Sequence, residues 1–308
     1  MLKVYPPARH TEAVFPPETG VVVLDGGLAS ELERRGLNLA SRLWSAQLLA
    51  DDPDSIRDVH RAYFAAGAQV AISASYQASL DGLAAAGLDG RAMLRRSVAL
   101  AQQARDEHGA GWVAASIGPY GAARADGSEY DGRYGLSVEQ LRRFHHDRLH
   151  ILADAAPDVL AVETVPCLTE AEALLAELES VGIPAWLSVT CAGARTRAGE
   201  PLVDAFAMAR ECPSVFAVGV NCCAPADVLP AIRLAVQHSG KPAICYPNSG
   251  EGWDAGARDW TGVAAFSPPD APAWVAAGAR LVGGCCRVGP ADIAALTQQL
   301  ARLPVRSG

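Results

Sequence analysis

Phe216-Ala217-Val218-Gly219-Val220-Asn221-Cys222 is a short apolar run that stops abruptly at two polar side chains. Such a run is too short for a typical helix. It is also too continuously apolar for a half-exposed strand, so it suits a parallel strand covered on both faces. Working outward, similar runs occupy Val21–Leu24, Gln69–Ser73, Trp112–Ser116, Val159–Val162, Ala185–Val189, Ala243–Tyr246 and Leu281–Gly283. Helical patterns lie between them. Thr169-Glu170-Ala171-Glu172 reads as a capping box, followed by Ala171, Leu174, Leu175 and Leu178 on one face. Ser137-Val138-Glu139-Gln140 offers another cap, and the last helix has Pro290 near its start with Ile293, Leu296, Leu300 and Leu303 in a stripe. Eight strand–helix units in about 285 residues predict an α/β fold, a single closed (β/α)8 TIM barrel, for which about 250 residues is typical. An open doubly wound sheet would normally carry a glycine-rich nucleotide turn, and neither G-x-G-x-x-G nor a P-loop occurs. Residues 1–19 read as a proline-rich N-terminal arm and 20–308 as one barrel domain.

Composition narrows the function. Half of the 308 residues are hydrophobic and the net charge is only −8, which excludes a disordered chain. With 26 Lys and Arg against 34 Asp and Glu and no basic run, nucleic acid is not an expected partner. The longest uncharged run, Ala62 to Leu80, is interrupted by Gln69, Ser73, Ser75, Gln77 and Ser79, so no membrane span is expected. The start, Met-Leu-Lys followed by Pro6, Pro7, Pro16 and Pro17, lacks the apolar stretch of a secretory signal. A cytoplasmic setting follows, in which eight cysteines favour metal or thiol chemistry over disulfides. A monomer and a small homo-oligomer are both compatible with these figures.

The ends of the strands are where polar residues gather. Asp25 follows the first run, Glu163 the fourth, Asn221 and Cys222 the sixth, Asn248 the seventh, and Cys285-Cys286 the eighth. In a barrel all of these open onto one face, where catalytic loops meet. Cys222 and Cys285 are too far apart in sequence for a zinc knuckle, yet strands six and eight of a barrel can converge on one ion. Adjacent cysteines in a regular strand face opposite ways. For Cys285 and Cys286 to share a metal the chain must bend, and Gly283-Gly284 are expected to supply that freedom. Three thiolates would hold Zn²⁺ and leave its fourth position open, the mark of a catalytic site. The alternative is a set of ordinary buried cysteines, and Cys167, Cys191, Cys212 and Cys245 read as such. Cys223 should point away from its neighbour. His146 and His150 share a helix face without an H-E-x-x-H motif and read as a solvated or capping face. No G-x-S-x-G elbow supports a hydrolase.

Longer motifs then become recognisable. Asp25-Gly26-Gly27 leads into Leu32-Glu33-Arg34-Arg35-Gly36, followed by Leu43-Trp44-Ser45-Ala46, Ala74-Ser75-Tyr76-Gln77-Ala78 and Gly118-Pro119-Tyr120-Gly121. Asp126-Gly127-Ser128-Glu129-Tyr130, Glu163-Thr164, Gly219-Val220-Asn221-Cys222, Tyr246-Pro247-Asn248-Ser249-Gly250-Glu251 and Gly283-Gly284-Cys285-Cys286-Arg287 complete the order. From about residue 20 to 303 the chain resembles the zinc-dependent homocysteine S-methyltransferases, in particular the short bacterial and plant branch that uses S-methylmethionine. The resemblance implies Zn²⁺ on Cys222, Cys285 and Cys286. It also implies Asp25 and Glu163 on the homocysteine amino group, with Gly26 and Gly27 close to the substrate. Cys223 departs from the commonest family residue, and Cys191–Gly199 follows no familiar pattern.

The chemistry fits these residue types. A free thiol is only about 3% thiolate at pH 7, whereas a thiol on a zinc ion is deprotonated. Attack of an anionic sulfur on a cationic sulfonium methyl disperses charge, so a dry pocket favours it. The donor cation calls for aromatic faces, for which Trp44, Tyr76, Tyr130 and Trp253 are candidates. Asn248 is a candidate either to bond substrate or to brace its loop, and Glu129 to read the donor's ammonium or carboxylate end. The competing expectation is a zinc-containing barrel that binds a small thiol without turnover.

Overall fold

A computed structural model describes residues 15, 20–39, 43, 45–254 and 259–303, with backbone alone at 252–254 and 259–260. Eight parallel strands form one sheet: β1 (Val22–Val23), β2 (Val70–Ile72), β3 (Trp112–Ile117), β4 (Val159–Val165), β5 (Ala185–Val189), β6 (Val215–Asn221), β7 (Ala243–Tyr246) and β8 (Ala279–Val282). Each pairs with its neighbour in sequence, β8 pairs with β1, and a parallel bridge from Leu24 to Val70 joins β1 to β2. The sheet is therefore a closed barrel, and the expected fold stands. The eighth strand starts two residues before the expected Leu281 and ends at Val282.

Alternation along the strands sorts two apolar cores. Val22, Leu24, Val70, Ala114, Val159, Ala161, Trp186, Ala217, Ile244 and Leu281 fill the barrel, while the opposite faces pack under the surrounding helices. Trp186 is the large residue among small ones, and its indole N–H donates to Tyr246 Oη at 3.0 Å. At the floor, Phe15 packs against Trp112 and Phe216, at or near the N-terminal ends of their strands, with ring centroids 5.3 and 5.5 Å away. The rest of the expected N-terminal arm lies outside the described residues.

The helices follow their apolar stripes, with one correction. The helix Val138–Asp154 has the expected box, Ser137 Oγ accepting from Gln140 N and Gln140 Oε1 from Ser137 N. Pro290 opens the last helix, whose Ile293, Leu296 and Leu300 are buried. The box expected at Thr169–Glu172 does not form. That helix runs Leu168–Leu178 from Cys167 with no side-chain cap of its own. Glu200 from the loop after β5 accepts from Leu168 N at 2.8 Å instead, and Glu170 makes buried bonds to Tyr120 N and His145 Nε2. Among the described residues no helix is long and apolar enough to cross a membrane.

Candidate active site

Period-two alternation carries polar residues into the top of the barrel. Ser116, Glu163, Ser188 and Asn221 continue the inward-facing sets of β3, β4, β5 and β6. All are buried, and they bond to one another in pairs: Ser116 Oγ donates to Glu163 Oε1, and Ser188 Oγ to Asn221 Oδ1 at 2.8 Å. Asn221 is the keystone that sequence reading left unassigned. Its Oδ1 also accepts from Thr164 N at 2.8 Å, and its Nδ2 donates to Thr164 Oγ1 at 2.7 Å. Thr164 and Cys222 both have φ in the left-handed region, 60° and 48°, a costly conformation for non-glycine residues that this network holds in place. The signal was there to be read: Asn221 sits beside Cys222 in a strand that is otherwise apolar.

The three cysteines converge. Cys222 Sγ lies 2.6 Å from Cys285 Sγ and 3.8 Å from Cys286 Sγ, with 4.0 Å between the last two. Tetrahedral zinc with Zn–S near 2.3 Å requires sulfurs about 3.8 Å apart. Two edges match that spacing and the third opens by about 1 Å to reach it. Among the described residues this cluster contains three ligand groups and no fourth. Hydrogen bonds from Cys222 and Cys285 hold the Cys286 thiol well below its ordinary range, so one anionic sulfur is already favoured.

The turn that presents Cys285 and Cys286 is set by close packing, which corrects the expected role of its glycines. Gly283 and Gly284 do not have positive φ; the left-handed residue is Arg287, at 63°. A Cβ on Gly283 would lie 2.8 Å from Asp25 O, and one on Gly284 would lie 2.1 Å from the Val288 side chain. Gly27 meets the same turn, its Cβ position 2.6 Å from Cys285 O, while a Cβ on Gly26 would lie 2.2 Å from Val288 O. Asn248 braces the turn as well: its Oδ1 accepts from Cys286 N at 3.1 Å, and its N–H donates to Cys223 O at 3.0 Å.

Asp25 and Glu163 flank this centre. Asp25 Oδ2 accepts from Ile72 N at 2.7 Å, but its buried Oδ1 has no partner among the described residues. Burial drives its pKa well up and the nearby Glu163 charge adds to the rise. Burial also pushes Glu163 up to about 7, against bonds from Ser116 and Tyr246 that lower it. Two buried carboxyls that repel each other, one with an open lone pair, suit a cationic ligand between them.

On the other side stand Tyr76 and Glu129. Both are buried, and Tyr76 Oη and Glu129 Oε2 have no hydrogen-bond partner among the described residues. Burial raises the Tyr76 hydroxyl far above its usual range, and Cys222 and Glu129 add to the effect. Arg148 clamps the loops beneath, donating from Nη1 to Gly118 O at 2.8 Å and from Nη2 to Ser75 O and Tyr76 O at 2.7 Å. Burial pushes its pKa down to about 10. Its position on the Leu141, His145, Leu149 and Leu152 face, where a charge is out of place, was the available clue. Trp44 lies outside the described residues, as does the Trp253 side chain.

The remaining thiols lie apart from the three-sulfur cluster, and His146 and His150, on one helix, gather with Glu177 of the next. Cys167, Cys191, Cys212, Cys223 and Cys245 are buried away from the three-sulfur cluster, Cys223 in the core outside the barrel. His146 is 54% exposed on its side chain, with Nδ1 2.7 Å from Glu177 Oε2. Arg142 occupies the other oxygen of Glu177 at 2.8 Å.

A closed barrel with three thiols and two carboxyls at its C-terminal mouth defines a metal-dependent enzyme of thiol chemistry. Residues 22–300 match the homocysteine S-methyltransferase family. Homocysteine S-methyltransferase YbgG of Bacillus subtilis is 42% identical over 93% of this chain and 95% of its own length. The Escherichia coli homocysteine S-methyltransferase is 45% identical over 90% and 94%. The metallated crystal structure of E. coli homocysteine methyltransferase MmuM superposes with a TM-score of 0.82, at 43% identity, covering 92% of this chain and 97% of that one. The chain belongs to the homocysteine S-methyltransferase family.

Proposed function

We propose that this enzyme methylates the sulfur of homocysteine to give methionine, taking the methyl from a sulfonium donor, S-methylmethionine first and S-adenosylmethionine second. The observation that carries the reading is the convergence of Cys222, Cys285 and Cys286 within 4.0 Å beside two buried carboxyls. Three soft thiol donors, two of their three separations matching tetrahedral zinc, fit Zn²⁺ better than a hard cation. Bound there, zinc would lower the pKa of a substrate thiol and hold it as thiolate.

The chain's own residues do the rest. Asp25 Oδ1 and Glu163 accept from the homocysteine ammonium, which relieves their mutual repulsion and fixes the direction of its sulfur. Ser116, with Tyr246 beside it, orients Glu163, and Ile72 N orients Asp25. Tyr76 presents an aromatic face for the sulfonium, a contact worth about 0.5–2 kcal/mol. As the new S–CH₃ bond forms, the old one breaks and its electron pair leaves with a neutral thioether. Opposite charges cancel, so the dry mouth lowers the barrier. No side chain has to remove a proton during this transfer. Thiols that stay reduced fit the cytoplasm as its setting.

Cys285→Ala should abolish both stoichiometric zinc and methionine formation; full turnover by the metal-free variant refutes the reading. A donor panel of S-methylmethionine, S-adenosylmethionine, betaine and methylfolate, read as methionine formed, tests the donor class. Turnover confined to betaine or methylfolate would overturn it.

A further inference from the structure

The groups assigned to homocysteine leave one acid and one cation at the mouth unused. Glu129 lies on the turn Ser128–Tyr130 after β3, and that turn needs no help from its carboxylate. Asp126 Oδ1 accepts from Ser128 N at 3.1 Å, and Asp126 pairs with Arg124 at 2.7 Å. Gly121 fits under the turn so closely that a Cβ there would lie 2.3 Å from Glu129 N. Glu129 is nevertheless 7% exposed, with Oε2 buried and unbonded among the described residues. A folded chain rarely buries a carboxylate oxygen without a partner unless a ligand supplies one.

Arg197 is the matching cation. It sits on the hairpin after β5, the segment whose sequence followed no familiar pattern, with its guanidinium 5.7 Å from the Tyr130 ring centroid. Its Nε reaches Thr190 Oγ1 at 3.4 Å, and Thr190 Oγ1 donates to Cys222 O at 3.1 Å. The hairpin is thereby tied to the thiol centre. Arg197 makes no ion pair with any acid among the described residues. The loops after β3 and β5 thus meet at Tyr130, one bringing an unsatisfied anion and the other an unpaired cation.

We propose that Glu129 and Arg197 bind the amino-acid end of the methyl donor, Glu129 accepting from its ammonium and Arg197 pairing with its carboxylate, while Tyr76 and Tyr130 face its sulfonium. The inference rests on the sulfonium-donor reading above and narrows it to sulfoniums that carry an α-amino acid. Asp25 and Glu163 are already assigned to the acceptor's ammonium, which leaves Glu129 for the donor's. A donor without an ammonium would leave Glu129 buried and unpaired, a strong form of discrimination.

The test is steady-state kinetics of the zinc-loaded enzyme, with KM measured separately for homocysteine and for S-methylmethionine. Dimethylsulfoniopropionate, which keeps sulfonium and carboxylate but lacks the ammonium, serves as second donor. Glu129→Gln should raise the S-methylmethionine KM roughly 10- to 100-fold, the loss expected for one charged hydrogen bond. Homocysteine KM and zinc content should stay within about twofold, and the preference for S-methylmethionine over dimethylsulfoniopropionate should shrink by the same factor. Arg197→Met should weaken both donors, with partial rescue by Arg197→Lys. A rise in homocysteine KM instead, or an equal loss on both donors in Glu129→Gln, overturns the proposal while leaving the reaction intact. Wild-type enzyme that makes no methionine from S-methylmethionine overturns the donor reading and this inference with it.

Discussion

Around the three cysteines almost every polar group is already engaged, whereas across the mouth polar atoms are buried with nothing to bond. Asn221 spends its side chain on Thr164 and Ser188, Asn248 bonds Cys286 N, and Gly26, Gly27 and Gly283 let the backbones of the loops after β1 and β8 touch. Tyr76 Oη and Glu129 Oε2, by contrast, make no bond among the described residues. The first region holds three left-handed residues, Thr164, Cys222 and Arg287, in place and so needs redundancy. The second is completed by what it binds. Stability should therefore reside in the thiol side and selectivity in the opposite wall, and substitutions on the two sides should fail in different ways.

Asn221→Ala should give the largest effect. It strands Thr164 N and the Ser188 and Thr164 hydroxyls in the barrel, costing roughly 3–5 kcal/mol in chemical denaturation. Zinc and homocysteine affinity should fall together, because Cys222 and Glu163 adjoin the freed residues; a loss below about 1 kcal/mol would break the comparison. Gly27→Ala comes next. Its methyl must push the Cys285 turn aside, which should cost about 1–3 kcal/mol and about 10- to 100-fold in zinc affinity. Unchanged zinc affinity would show that the turn is not set by packing.

A pH titration sharpens the contrast within the acceptor side. Burial holds Glu163 near pKa 7, above its ordinary 4.5, so between these values the folded chain keeps a proton that the unfolded chain has released. Its contribution is thus fully present below 4.5 and is lost as pH rises through 7. Glu163→Gln should remove this fall, on the order of a few kcal/mol between pH 5 and 8. A residual slope of the same sign should remain from Asp25, whose pKa is also raised. Identical slopes in wild type and variant would remove Glu163 from the account. The smallest expected effect on stability is Tyr76→Phe, which deletes an unbonded hydroxyl and should change unfolding free energy by less than about 0.5 kcal/mol. A loss above about 1 kcal/mol would mean that the hydroxyl had a partner after all.

Much of this was legible in the chain alone. The eight apolar runs suited a parallel sheet covered on both faces, and their number with helices between, without the glycine-rich nucleotide turn of an open sheet, pointed to a closed barrel. Polar residues ending those runs marked the mouth, and Cys222, Cys285 and Cys286 stood out because burial alone does not place thiols at strand ends. The capping box at Thr169–Glu172 misled because a local pattern cannot see Glu200, which lies beyond the next strand and caps that helix. The bend at Cys285 was assigned to glycine flexibility, when the space next to Asp25 and Val288 was the constraint.

Sequence by itself determined which residues are inward, which are apolar and where each strand stops, because periodicity and side-chain chemistry are local properties of the chain. Only the tertiary structure decided which ends meet. Asn221 locking Thr164, Arg148 clamping the Ser75 and Gly118 carbonyls, and Arg197 reaching Tyr130 all join segments remote in sequence. Their partners are backbone atoms and rings that exist at those positions only once the barrel has closed, and whether a buried polar atom is satisfied is a question about all its neighbours in space.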